Sequence, residues 1–175
     1  MDEEKSFDLA ISLDHIKLID TFFHVNQPNS ANLQSKLAVS MPECQKEVDA
    51  ENKRIRVHSI VSVQFFLFGV EAPAELTSET AANSVVSFGA AMDISASTSY
   101  LGSAVPMGKH SARSGTALED ERDQRLYENL TLEVIKAGYS FASARLLETS
   151  GISPFGAIPM PLMDSDELLR EIQNK

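Results

Sequence analysis

Ile55-Arg56-Val57-His58-Ser59-Ile60-Val61-Ser62-Val63-Gln64-Phe65-Phe66-Leu67-Phe68-Gly69-Val70 is the stretch whose spacing settles the fold class. Ile55, Val57, Val61, Val63, Phe65 and Leu67 share one parity. Arg56, His58, Ser62 and Gln64 hold the other, until Phe66 and Phe68 make it apolar. Side chains alternate sides along a strand, so this strand begins wet on one face and ends apolar on both. The second apolar face needs a cover there, whether a helix, another subunit or a bound ligand.

Working outward, Ile16 to Val25 is rich in β-branched and aromatic residues and reads as a strand, stopped by Asn26-Gln27-Pro28-Asn29-Ser30. Residues 1–12 are mixed in character and expected to fray. Leu33, Leu37, Val39 and Met41 alternate with Gln34, Lys36 and Ser40, which predicts another strand with one wet face. Pro42 is expected to end it, leaving Glu43 to Arg54 as a polar loop with room for a helical turn. Past Pro73, in a loop, Val85 to Ile94 is a fourth strand candidate. Gly102 to Gly115, built of Gly, Ser, Ala and Pro, reads as a mobile loop.

The period then changes from two to that of a helix. Thr116 can cap it with Glu119 as capping-box partner, and Glu119-Asp120-Glu121 suits the positive end of the helix dipole. Leu126, Leu130, Val134, Ala137, Phe141 and Ala144 form one stripe, and Ile135, Tyr139, Ala142 and Leu146 a second beside it. So wide an apolar surface predicts a helix with one side on the sheet and the other on a partner. Gly138 marks either close packing or a break, and Gly151 is the expected C-cap. The segment Ile152 to Met163 carries Pro154, Pro159 and Pro161, so it is extended, apolar and in need of a surface. A short helix follows, capped by Asp164 or Ser165, with Leu168, Leu169 and Ile172 on its apolar side. Strands first and helices after make an α+β domain, and 175 residues suit a single one spanning 1–175.

A net charge of −10 repels phosphates and anionic lipid, and no Lys/Arg cluster with interleaved aromatics argues for nucleic acid. No apolar run approaches the roughly 20 residues of a membrane span. The acidic start Met1-Asp2-Glu3-Glu4 is unlike an export signal, so a cytoplasmic place is expected, and a lone cysteine, Cys44, suits a reducing compartment. His15, His24, His58 and His110 lack metal-ligand spacing, and no nucleophile elbow or phosphate loop occurs. The expectation is therefore no enzyme, no catalytic residue, no metal and no cofactor. The acidic runs read as solvated faces that favour contact with basic partners.

The last 45 residues run as a helix, then Ser150-Gly151-Ile152-Ser153-Pro154-Phe155-Gly156-Ala157-Ile158-Pro159, then a short helix around Asp166-Glu167-Leu168-Leu169. This order resembles the end of the SecB-like preprotein chaperones. The strand at Ile16 to Val25 resembles that family's first strand, whereas its Pro-Tyr-Ala-Arg stretch is replaced here by Ala137-Gly138-Tyr139-Ser140. The resemblance implies a four-stranded antiparallel sheet followed by a long helix and a short C-terminal helix. It implies an ATP-independent holdase, a homo-oligomer built as a dimer of dimers, that keeps unfolded clients in apolar grooves for export or antitoxin-type stabilisation. Phe22, Phe23, Phe66, Phe68, Phe141 and Phe155 are the candidates for groove or interface. It also implies docking of the export motor on an acidic sheet surface, with Asp20 on the corresponding strand.

Two other readings fit the same residues. One is an interaction protein on this scaffold that binds one folded partner, as in a phage or mobile element. The other is a small cone-fold ligand binder or enzyme, which would need a closed apolar pocket with His24 or His58 beside Asp20.

Overall fold

A computed structural model of the chain describes residues 10–26, 32–49, 51–69, 71–99 and 116–173, with backbone alone for 116–123, 171 and 173. Strands β1 (Ile11–Val25), β2 (Gln34–Asp49), β3 (Arg54–Phe68) and β4 (Val86–Ser99) form one antiparallel sheet in the order β1-β4-β3-β2. A short helix α1 (Ser78–Ala82) lies between β3 and β4, and α2 (Thr116–Ser150) and α3 (Ser165–Gln173) complete the chain. The α+β class with a four-stranded antiparallel sheet, a long helix and a short final helix is thus the observed one. The mobile loop expected at 102–115 and the Thr116/Glu119 capping box fall outside the described residues and side chains.

Two expectations about strand ends are corrected. Strand β1 begins at Ile11, inside the segment expected to fray. It carries register shifts at Leu13/His15 and Leu18/Asp20. Each shift inserts one residue and resets the alternation, so that Ile16 and Leu18, then Phe23 and Val25, return to the face already held by Ile11 and Leu13. Strand β2 passes through Pro42 and continues to Asp49, where a loop was expected. Pro42 lies in the register shift between Ser40 and Glu43 on an edge strand, where its missing N–H breaks no ladder bond. The buried Ser59 hydroxyl donates to the Glu43 carbonyl beside this bulge.

The core lies between one face of the sheet and α2. Val57, Val61, Val63, Phe65, Phe88, Met92 and Ile94 face Leu130, Val134, Ile135, Ala142 and Leu146, all of them excluded from solvent. Gly138 is the point of closest approach: a Cβ there would stand 2.7 Å from Val61 Cγ1 and 3.2 Å from Ile94 Cδ1. It marks close packing, not a break.

Helix α2 ends at Ser150, but Gly151 is not left-handed; the only glycine with positive φ among the described residues is Gly156, at 70°. The end is closed instead by Ser150, whose carbonyl accepts from Ser153 N and whose buried hydroxyl accepts from Ile158 N at 2.8 Å. The tail then runs back beside α2. Ile158 and Met160 enter the core, and the Tyr139 hydroxyl donates to the Pro161 carbonyl. Asp164 caps α3 through a reciprocal pair: Glu167 N donates to Asp164 Oδ1 and Asp164 N to Glu167 Oε2. Leu168 docks this helix into the core on the β2 side.

Candidate functional site

Cross-strand partners share a face, so the ladder assigns each predicted aromatic to a side of the sheet. Phe23 pairs with Phe88 and belongs to the helix-covered face. Phe22 pairs with Gly89 on the outer face, and Phe66 and Phe68 lie there too, opposite Lys36 and Gln34. Phe66 and Phe68 are only 5% and 2% exposed, and their rings stack at 6.3 Å. The apolar end of β3 is therefore already covered, by the chain itself. Ala72 N donates to Gln34 Oε1 and Lys36 Nζ donates to the Ala74 carbonyl, which draws the β3–β4 connection across this end of the outer face. Phe22 stays half-exposed, laid across β4 where Gly89 has no side chain and stacked on His24 at 5.6 Å.

On the helix side, α2 lies over β3 and β4 and meets β1 and β2 only at its margins. The β2 margin is filled by the tail and α3. Tyr139 points to that flank, through its bond to Pro161. Phe141, two residues on and thus roughly 200° further round the helix, points to the other flank. The second stripe, Ile135, Tyr139, Ala142 and Leu146, is wholly buried, as is the first half of the other stripe at Leu126, Leu130 and Val134. Ala137 and Phe141 are only half-buried and Ala144 is exposed.

Strand β1 is similarly half-covered on its helix side. Ile11, Ile16, Leu18, Phe23 and Val25 pack partly against the core, while Leu13 is 48% exposed. The open flank of α2 and this row of β1 form an apolar shelf on the side of the helix away from the tail. The six predicted aromatics divide accordingly. Phe23 and Phe141 contribute to the shelf, Phe22 lies on the opposite face, and Phe66 and Phe68 are internal. Phe155 is half-buried in the tail, between the fully exposed Ile152 and Leu162. The aliphatic members Ile16, Leu18 and Ala137 escaped selection, because the bulges that turn Ile16 and Leu18 onto this face leave no mark in simple alternation.

The polar outer face is organised across β4, whose Gly89, Ala91, Ser95 and Ser97 are too small to separate β1 from β3. His58 Nε2 meets Asp93 Oδ1 at 2.5 Å, and Asp14 reaches Arg54 and Arg56 at 3.6 and 3.5 Å. Asp20 stands opposite Ala91, whereas His58 stands opposite Ser95 and His24 opposite Ser87, so neither histidine joins Asp20 as the cone-fold reading required. Cys44 is exposed on β2. Among the described residues no three His, Cys, Asp or Glu side chains are grouped to hold a metal ion, and no helix is long and apolar enough to cross a membrane. A shallow hollow of about 480 Å³ lies between the start of β2 at Ser35 to Leu37 and the tail at Pro161 to Met163.

No protein-family model matches the chain, and no curated protein matches it in sequence. Similar chains are found among solved structures. One is a SecB-like chaperone of Mycobacterium tuberculosis, in complex with a ChAD peptide from the HigA1 antitoxin. It is 13% identical, with 88% of this chain and 91% of that one covered and a TM-score of 0.48. Another is a protein of unknown function from Streptococcus agalactiae, 9% identical over 88% of this chain and 98% of that one, with a TM-score of 0.41. Neither assigns a family.

Proposed function

We propose that the protein binds other polypeptides without catalysis, as an ATP-independent chaperone of the holdase type for unfolded or unstable clients. The observation that supports this best is the apolar shelf, where Phe141 of α2 and Phe23 of β1 are half-exposed beside the core. A rigid apolar shelf with an open strand edge at its side can accept the alternate side chains of an extended segment. The charge of −10 keeps a protein with such surfaces soluble and favours basic segments. The resemblance of the C-terminal third to SecB-like chaperones points the same way, toward export or antitoxin-type stabilisation in the cytoplasm. On this reading the chain is a homo-oligomer, a dimer of dimers.

The test is suppression of aggregation of a chemically unfolded, unrelated protein, followed by light scattering without nucleotide. The wild-type chain should lower the scattering in proportion to its amount, and Phe141→Asp should lose most of that effect while keeping its melting temperature. No suppression at any ratio sinks the holdase reading. Tight binding of one folded protein instead would establish the dedicated-partner reading.

A further inference from the structure

We propose that Asp14 is an ionic latch that holds the first half of β1 closed on the sheet, and that screening or removing it opens the edge of β4. Asp14 is the extra residue of the bulge between Leu13 and His15. The bulge leaves it on the outer face, where its carboxylate lies between two guanidinium groups, 3.6 Å from Arg54 and 3.5 Å from Arg56. Those arginines belong to β3, so the contact spans the whole of β4 and not the neighbouring ladder. Ser97 and Ser99 on the outer face of β4 clear its path. The Asp14 side chain is 19% exposed, against 40% and 46% for the arginines, which makes it the shielded centre of the cluster.

The rest of this half of β1 is weakly held. A second bulge at Leu18/Asp20 separates its ladder from the stretch Thr21–Val25. That later stretch is fixed by Phe23 and Val25 against the core, and by Asn26, which donates to the Val85 and Ser84 carbonyls. In the first half Ser12, Leu13 and His15 are exposed, Ile11, Ile16 and Leu18 are only partly packed, and Thr98 Oγ1 donates to the Ala10 carbonyl. Local opening follows such divisions of packing. Opening here would bare β4 from Asp93 to Thr98, with Ile94 and Ala96 beside it, as an edge able to pair with another strand.

Amide hydrogen exchange on the full chain tests this at constant neutral pH. Asp14→Asn should speed exchange of the amides of residues 12–18 by about three- to tenfold, with residues 21–25 unchanged. Arg54→Gln with Arg56→Gln should reproduce the same pattern, which guards against a local defect of one variant. At 0.5 M salt, where the screening length is about 4 Å, the wild type should approach the variants and the variants should hardly change. Unchanged exchange over 12–18 in both variants overturns the proposal, and so does an equal rise over the whole sheet.

Discussion

The two faces of the sheet are closed by opposite means, and one glycine belongs to each. On the helix side Gly138 lets α2 settle onto Val61 and Ile94, neither of which can move, since both are fully buried. On the outer face Gly89 gives its space to the ring of Phe22, which is half-exposed and can swing aside. A helix and a returning tail seal the first face over most of its area. Among the described residues the second is sealed at one end by the β3–β4 connection, and elsewhere by charged side chains meeting over small residues of β4. The same strand thus carries rigid packing on one side and adjustable contacts on the other, and substitutions at matched positions should separate the two.

The largest effect is expected from truncating a ring on each side. Phe65→Ala, 1% exposed under α2, should cost about 3–5 kcal/mol in urea unfolding. Phe22→Ala on the outer face should cost about 1 kcal/mol, since only part of its ring is removed from water. Phe68→Ala sharpens the contrast, because Phe68 is 2% exposed yet lies on the outer face. If the β3–β4 connection is as firm a cover as α2, its cost should match that of Phe65→Ala; a cost near that of Phe22→Ala would show a loose cover.

The glycines come next. Gly138→Ala brings a methyl to 2.7 Å from Val61 Cγ1, and the overpacking should outweigh the gain in helix propensity by about 1–3 kcal/mol. Gly89→Ala places its methyl nearer still, 2.2 Å from Phe22 Cε1, but the ring can rotate outward, so the loss should stay below about 1 kcal/mol. Chemical unfolding of both variants side by side decides the matter. A larger loss at Gly89 would mean that Phe22 is held as firmly as a core residue.

Much of this was legible in the residues, and the failures have physical causes. The parity of Ile55 to Leu67 placed the core face correctly, and the double stripe of α2 predicted the sheet on one side of the helix and a partner on the other. The second stripe, however, is covered by the sheet and the chain's own tail, which leaves as open surface only the later part of the first, at Ala137, Phe141 and Ala144. The extended proline-rich tail was expected to need a surface, and Ile158 and Met160 found it in the core. What escaped was the bulges. A one-residue insertion flips every side chain after it, so simple alternation could not put Ile16 and Leu18 on the face of Phe23, and β2 looked finished at Pro42. For the same reason the aromatics could be picked from the sequence but not sorted by face, and Phe66 and Phe68 stood beside Phe22 and Phe141 as equals.

The smallest effect concerns the tail, the piece that makes the two flanks of α2 unlike. Tyr139 is 8% exposed, and burial pushes its hydroxyl above the ordinary value of 10.0, with Glu167 nearby adding to the shift. A group whose pKa is raised by folding contributes stability that is whole below its unfolded value and is lost as pH rises through the folded one. The ionised phenolate could no longer donate to the Pro161 carbonyl, so the tail should loosen only in the alkaline range above about pH 10. Tyr139→Phe removes the donor at every pH and should cost about 0.5–1.5 kcal/mol at neutrality, while its stability should decline less steeply than the wild type's in that alkaline range. Parallel slopes for the two chains would place the alkaline loss elsewhere. They would leave the hydrophobic seating of Ile158 and Met160 as the means by which the tail closes one flank of α2 and leaves the other open.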